Sequence, residues 1–263
     1  MPAVRPVEVP SRKRLYRGGA DSAHEILEFG VPLGITEWDD DFQGDLFKGG
    51  AAPGAYQSTA SGAASAVAAL DVGAVGGQIT LDPGTADGGR SDLSLGLHYS
   101  GSRFGVAWFR INMRDAITSS KFEVGFTDVV SGTDAGAVNV KATPSFNADN
   151  AVVLVRDTND DTNLTLVGVQ ATVAATAYDF STALVLDTIY WLGVALRGTR
   201  AVGYLLNTDG DLLERQPASG YMESAITAAT LLTPWAFVQN RSGAQRRMNI
   251  DRVKVFQFAT ASS

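Results

Sequence analysis

The sequence contains no cysteine and only two histidines, His24 and His98, among 263 residues. The first absence excludes disulfide frameworks, cysteine-based metal sites and thiolate nucleophiles, and gives no sign of an oxidising compartment. The second leaves little for histidine-based catalysis. Neither histidine has a partner nearby in sequence, and no Gly-x-Ser-x-Gly elbow accompanies them. Long apolar runs are also missing. The longest uncharged tracts, Gly49–Leu70 and Thr162–Tyr178, are interrupted by Pro, Gln, Asn, Ser and Thr and do not read as membrane spans. The opening MPAVRPVEVP has proline and charge where a signal peptide needs an apolar stretch. The expectation is a soluble intracellular product, or one that leaves the cell only as part of something larger.

What is present is apolar and rich in glycine. A hydrophobic fraction of 45% is ample for one large core, and 28 glycines against 19% charged residues suit a loop-rich β protein better than a disordered chain. The charge is uneven. Residues 1–20 carry Arg5, Arg12, Lys13, Arg14 and Arg17 against Glu8, a net +4, so the rest of a chain of total charge −7 carries −11. A basic arm on an acidic body reads as an interaction segment. Four net charges, one aromatic (Tyr16) and no phosphate-cradling glycine loop make a protein neighbour the expected partner and argue against nucleic acid.

Three prolines and a Gly-Gly keep residues 1–19 extended. In SAHEILEFG, Ser22 and Glu25 form a capping box and Gly30 a stop, which predicts one short helix over about residues 22–29. From Trp38 onward the pattern is β. LSLGLHYS puts Leu93, Leu95, Leu97 and Tyr99 on one face. FGVAWFRINMR is apolar on both faces, with Val106 and Trp108 on one and Ala107, Phe109, Ile111 and Met113 on the other, so it predicts a central strand covered on both sides. KFEVGFTDVV, the hairpin across Asp157–Asn163, the pair IYWLGVALRG and RAVGYLLNT, then DLLERQ, WAFVQNR and MNIDRVKVFQF complete roughly a dozen strands. The predicted class is all-β, a two-sheet antiparallel sandwich. In MNIDRVKVFQF the alternation slips at Asp251-Arg252, which predicts a β-bulge, with Asp251 bonded to backbone or to Arg246 or Arg247.

A resemblance enters here. Trp38-Asp39-Asp40-Asp41-Phe42, Gly76-Gly77-Gln78-Ile79, the strand with Trp108, the run from Phe122 to Asp128, the hairpin from Tyr204 to Asp209-Gly210, and Ile250-Asp251-Arg252-Val253 occur in this order. Together they resemble the concanavalin A-like jelly rolls, in the form found as structural proteins of tailed bacteriophages. The resemblance spans residues 37–258. It implies a jelly-roll body there, an arm and helix over 1–36, and a flexible tail over 259–263. It further implies a non-enzymatic virion protein, a capsid decoration or minor capsid protein held to the major capsid protein or another virion protein by its arm. The alternative is a tail or fibre component that binds carbohydrate. Repeated sites on a particle imply a homo-oligomer, with a trimer as the first guess.

The candidate chemistry is sparse. Jelly-roll glucanases carry paired carboxylates in a Glu-x-Asp-x-Glu pattern across the scissile bond. Glu123 to Asp128 is the nearest match, with Gly125 where the second carboxylate belongs, so Glu123 reads as lying on a solvated or partly polar sheet face. No catalytic residue is assigned and no cofactor is required. Asp157, Asn159 and Asp161 place oxygens at alternate positions, as calcium loops do. However, Thr162 and Gly168 stand where an EF-hand needs Gly and Glu, and a polar hairpin tip uses the same residues. Asp209-Gly210 is a hairpin turn, and Asp82, Asp87 and Asp92 belong to a similar polar loop. For a sugar, Trp38 and Tyr56 near loops are the candidate platforms, while Trp108 and Trp191 in apolar strands are assigned to the core.

Overall fold

The computed structural model describes residues 35–42, 56–71, 77–130, 136–141 and 145–258. The basic arm with Arg5, Arg12, Lys13, Arg14 and Arg17, the helix over about 22–29 and the tail over 259–263 lie outside the described residues. The strands are β1 (Ile35–Asp40), β2 (Ala60–Ser61), β3 (Ala66–Leu70), β4 (Ile79–Asp82), β5 (Arg90–Ser94), β6 (Val106–Met113), β7 (Ser120–Thr127), β8 (Val138–Val140) and β9 (Ser145–Phe146). They continue as β10 (Asn150–Asp157), β11 (Thr165–Gln170), β12 (Val173–Ala174), β13 (Tyr178–Asp179), β14 (Tyr190–Arg197), β15 (Arg200–Leu206), β16 (Leu212–Gln216), β17 (Thr233–Asn240) and β18 (Met248–Phe258).

Two eight-stranded antiparallel sheets form the sandwich. The first runs β16-β15-β14-β6-β18-β4-β3, with β1 also paired to β18; the second runs β12-β11-β10-β7-β17-β5-β2, with β13 also on β11. β8 and β9 pair only with each other. Strand alternation decides what lies between the sheets. Phe109 and Ile111 of β6, Leu192 and Val194 of β14, and Val253 and Val255 of β18 meet Phe122, Val124 and Phe126 of β7, Leu154 of β10, and Ala236 and Val238 of β17. All are buried. Burying a side chain of this size contributes about 1.5–3 kcal/mol each, which makes this layer the main source of stability.

Two strand expectations are revised. The run LSLGLHYS does not stay extended: β5 ends at Ser94, Gly96 takes φ +89°, Leu97 is exposed, and pairing resumes only as an isolated bridge from Tyr99 to Leu232. β6 is central, between β14 and β18, but only one of its faces meets the core. The other belongs to a second apolar group on the outside of the sheet.

The bulge is found where the alternation slips. The register of β18 against β6 shifts between Ile250 and Arg252, leaving Asp251 as the extra residue. The shift also changes partners on the far side of β18, from β4 along Met248–Ile250 to β1 along Val253–Phe258.

Candidate functional site

Each sheet has an outward face, and the two differ. On the second sheet the odd-numbered residues of β7 point away from the core. Glu123, expected on a solvated or partly polar face, lies there with no solvent exposure, because the segment that carries β8 closes over it. Its carboxylate accepts hydrogen bonds from the backbone N–H of Ala137 (2.7 Å) and Val138 (3.1 Å) and from Trp235 Nε1 (3.2 Å). Lys121 Nζ stands 2.8 Å from it, donates to the Val138 carbonyl and lies 5.4 Å from the Phe237 ring centroid. Trp235 and Phe237 stack beside the pair, both fully buried. Ala137, Val138 and Ala148 join Val153, Val155, Val167 and these rings in a separate apolar cluster. The chain has thus covered this face with its own segment, and both charges are neutralised and hydrogen-bonded, the condition for burying them.

The glucanase pattern fails here for a steric reason. At Gly125 φ is +151°, and a Cβ would stand 2.3 Å from the Val152 carbonyl oxygen. No side chain, and so no carboxylate, fits at the pattern's second position. Asp128 accepts instead from the backbone N–H of Asp149 and Asn150, and burial raises its pKa above the usual carboxylate value.

On the first sheet the outward face is not covered by another strand pair among the described residues. One cross-strand row runs Arg215, Tyr204, Gly193, Trp108, Lys254, Asp39. The next runs Leu212, Leu206, Trp191, Arg110, Arg252. Gly193 makes room for the indole of Trp108: a Cβ there would meet three carbons of the ring at 2.3–2.7 Å. Tyr204 approaches the same glycine from the opposite strand, with its ring centroid 5.5 Å from that of Trp108. Trp108, Trp191, Tyr221 and Phe256 are partly exposed around a buried floor of Val106, Ala195 and Val202.

Ion pairs flank the aromatics. The bulge turns Asp251 and Arg252 to the same side, where Asp251 pairs with Arg110 and Arg252 makes a two-pronged bond to Asp39 at 2.7 and 2.8 Å. Lys254 Nζ reaches the same Asp39 at 2.7 Å. Burial alone would raise the Asp39 pKa, but the bonds from Arg252 and Lys254 outweigh it and hold the carboxyl below its ordinary value. Burial, and then the charge of Arg252, lowers the pKa of Arg110. At the other end Arg197 and Arg215 stand 5.7 and 5.8 Å from the Tyr221 ring centroid, and Arg215 donates to the carbonyls of Pro217 and Gly220.

The residues singled out from sequence fall as follows. Tyr56 is 5% exposed, its hydroxyl accepts from Trp38 Nε1 at 2.9 Å, and both rings adjoin the core, so Tyr56 offers no open platform. Trp38 is drawn inward because it alternates with Glu37 and Asp39 on β1. Trp108 and Trp191, assigned to the core, lie on the outward face. The candidate calcium ligands are engaged elsewhere. Asp157 pairs with Arg241, and Asp161 accepts from Lys141 at 2.6 Å and from the Asn163 N–H at 2.7 Å. Asn159 donates its backbone N–H to Asp157. Asp157 and Asp161 thus each face a cation, and among the described residues no group of three or more His, Asp or Glu that could hold a metal is found. Asp251 bonds Arg110, not Arg246 or Arg247; Arg247 is paired with Asp115 and Arg246 donates to the Thr118 carbonyl.

No protein-family model matches the sequence, and no curated protein matches it. Solved structures do resemble the fold. A protein of unknown function from Shewanella oneidensis MR-1 superposes with TM-score 0.57 at 14% identity, covering 94% of this chain and 99% of that one. Peanut lectin, solved with a nine-residue peptide, gives 0.56 at 11% identity, covering 87% and 100%. The exoplasmic/lumenal domain of VIP36, in a Ca2+/Man2-bound form, gives 0.56 at 10%, covering 86% and 89%. The chain is therefore an all-β two-sheet sandwich of the lectin-like jelly-roll fold.

Proposed function

We propose that this chain is a non-enzymatic structural protein of a tailed-phage particle, a capsid decoration or minor capsid protein. The basic segment 1–20 would hold it to the major capsid protein or another virion protein. The observation that carries the non-enzymatic reading is the state of Glu123: buried, with its oxygens taken by three N–H donors and a lysine, and with no room at Gly125 for a second carboxylate. A general acid needs access to its substrate, and this carboxylate has none. The sequence resemblance and the basic segment support the virion reading, and symmetric sites on a shell would make the protein an oligomer, with a trimer as the first arrangement to test. Imaging particles with the full chain and with residues 1–20 deleted is the test. Loss of the density with the deletion is expected, and full occupancy without residues 1–20 overturns the anchoring role.

The second reading is a tail or fibre component that binds carbohydrate. It is favoured by the lectin-like fold together with the partly exposed indoles on the first sheet, since such rings stack on sugars. A glycan array probed with the folded full chain tests it.

A further inference from the structure

The outward face of the first sheet is broad and apolar, and among the described residues no strand pair lies over it. A sheet face left to water is normally polar at every second residue. Here a third cross-strand row, Val202, Ala195, Val106, Phe256, stays apolar until it reaches Glu37 on β1. Beside it lie the Trp108 indole over Gly193 and, one row further on, Trp191. Trp, Tyr, Phe and Arg are the side chains that gather in protein interfaces and anchor them. From β16 to β1 the face spans about 24 Å, and from the Trp191 row to the opposed Arg197 and Arg200 about 20 Å. With its rim of side chains this approaches the roughly 800 Å2 per partner of a stable interface.

Charge selects the occupant and its orientation. At the β1 end stand Glu37, Asp39, Asp251 and, just past the strand, Asp41, against Arg110, Arg252 and Lys254, so carboxylates outnumber cations four to three. At the β16 end Arg215 donates to the carbonyls of Pro217 and Gly220, and the next carboxylate in its row is Asp39 at the opposite edge. Arg197 bonds the Tyr221 hydroxyl and Arg200 pairs with Glu223. Glu214 sits opposite the core residue Leu205 and caps the Ser181 and Thr182 N–H groups, while Asp209 and Asp211 lie in the turn beyond the rows. One end of the rows is acidic on balance and the other basic, and two copies of such a face complement each other. A twofold axis between the faces, parallel to the strands and midway between β14 and β6, reverses the strand order and keeps the rows level. It sets Arg215 over Asp39 and Glu37, Trp191 over Arg110, Val202 over Phe256 and Ala195 over Val106. A twofold across the strands would instead lay β1 on β1 and bring the carboxylates together.

We propose that this face docks a second copy of the chain, in a twofold dimer whose first sheets pack face to face with the strand order reversed. The proposal rests on the expectation of a homo-oligomer, not on the virion role, and puts a twofold pair in place of the trimer. It also places Trp108 and Trp191 in the interface, so the dimer does not offer them to a glycan.

Sedimentation velocity of the full chain, 27.7 kDa as a monomer, tests it. A dimer is expected. Trp191→Ala is expected to raise its dissociation constant about tenfold or more, the scale of a central aromatic anchor. Arg215→Glu is expected to weaken it more than Arg215→Gln, because the reversed charge meets Asp39 and Glu37 of the other copy. Far-UV circular dichroism like that of wild type qualifies each variant. Orientation is read separately. The sequence has no cysteine, and Glu37 and Arg215 stand about 24 Å apart across one sheet. A short bis-maleimide is therefore expected to join a mixture of the Glu37→Cys and Arg215→Cys chains, and neither variant by itself. A monomer at every concentration overturns the proposal together with the homo-oligomer expectation. A trimer keeps that expectation and overturns the proposal, and imaging of particles tests the virion role in either case. A dimer equally tight in all three variants, or a single-cysteine variant that cross-links to itself, puts the interface elsewhere and overturns it. Glycan binding by a monomeric wild type that Trp191→Ala abolishes overturns it in favour of a carbohydrate occupant.

Discussion

Lys121 and Arg110 sit on the fourth strand of their sheets, β7 and β6, and both point away from the shared core. The lysine has no exposure, whereas the arginine side chain retains 25%. The difference does not arise in the strands themselves, which alternate in the same way. It arises from what lies above them. Over β7 the chain returns as the β8 segment, whose backbone N–H groups close on Glu123. Over β6 the described residues place the sheet's own aromatics and ion pairs together with Tyr221, and no strand pair. A polar residue on an outward face is thus a surface group or an anchor according to a distant segment.

The comparison can be broken first at Glu123. Glu123→Ala strands the Lys121 charge and leaves the Ala137, Val138 and Trp235 N–H groups without their acceptor. Destabilisation of about 3–5 kcal/mol is expected from urea unfolding. The double variant Lys121→Met, Glu123→Leu is expected to recover most of that loss, because it removes both charges together. If Glu123→Ala unfolds like wild type, the covering segment does not depend on this carboxylate.

Gly125→Ala tests the same face by sterics. The added methyl meets the Val152 carbonyl, which is backbone and cannot rotate away. A loss of about 2–3 kcal/mol is expected in the same assay. The matching change on the open face is milder. In Gly193→Ala the obstructed group is the Trp108 indole, a side chain with solvent on one side. About 1 kcal/mol is expected, together with a red shift of tryptophan emission as the ring lifts. Equal costs for the two glycines would mean that the outward faces are packed alike.

Much of the sandwich was legible because alternation is local. On β6 the set Ala107, Phe109, Ile111, Met113 is wholly apolar, while the set containing Trp108 also holds Arg110 and Asn112. On β14 the set with Trp191 likewise ends in Arg197, and that with Tyr190, Leu192, Val194 and Leu196 does not. The mixed sets face outward, so the signal for the partly exposed tryptophans is present in the sequence, and hydrophobicity alone, which assigns them to the core, misses it. The bulge at Asp251 was also legible, as a break in the period. Its partners were not, since Arg110 and Asp39 lie far away in sequence and are brought near by β6 and β1. Least legible was the covering of Glu123, because nothing in the run Ala137-Val138 marks which face it will cap.

The smallest expected effect concerns Asp39, which ties β1 to the bulged strand on the open face. Despite burial, its carboxyl pKa is held below the ordinary aspartate value in the folded state, so the bonds to Arg252 and Lys254 stabilise the fold above that ordinary value and lose their effect as pH falls through the folded one. Asp39→Asn is expected to cost about 1 kcal/mol at neutral pH, since Asp39 and Arg252 both remain partly exposed and the amide can still bond to Arg252 and Lys254. The gap between wild type and variant is expected to close as the pH is taken below about 4, the ordinary range of an aspartate. Urea unfolding of both proteins across that range measures it. A gap that persists in acid would assign the role of Asp39 to packing, and the open face would then owe less to charge than its row of arginines implies.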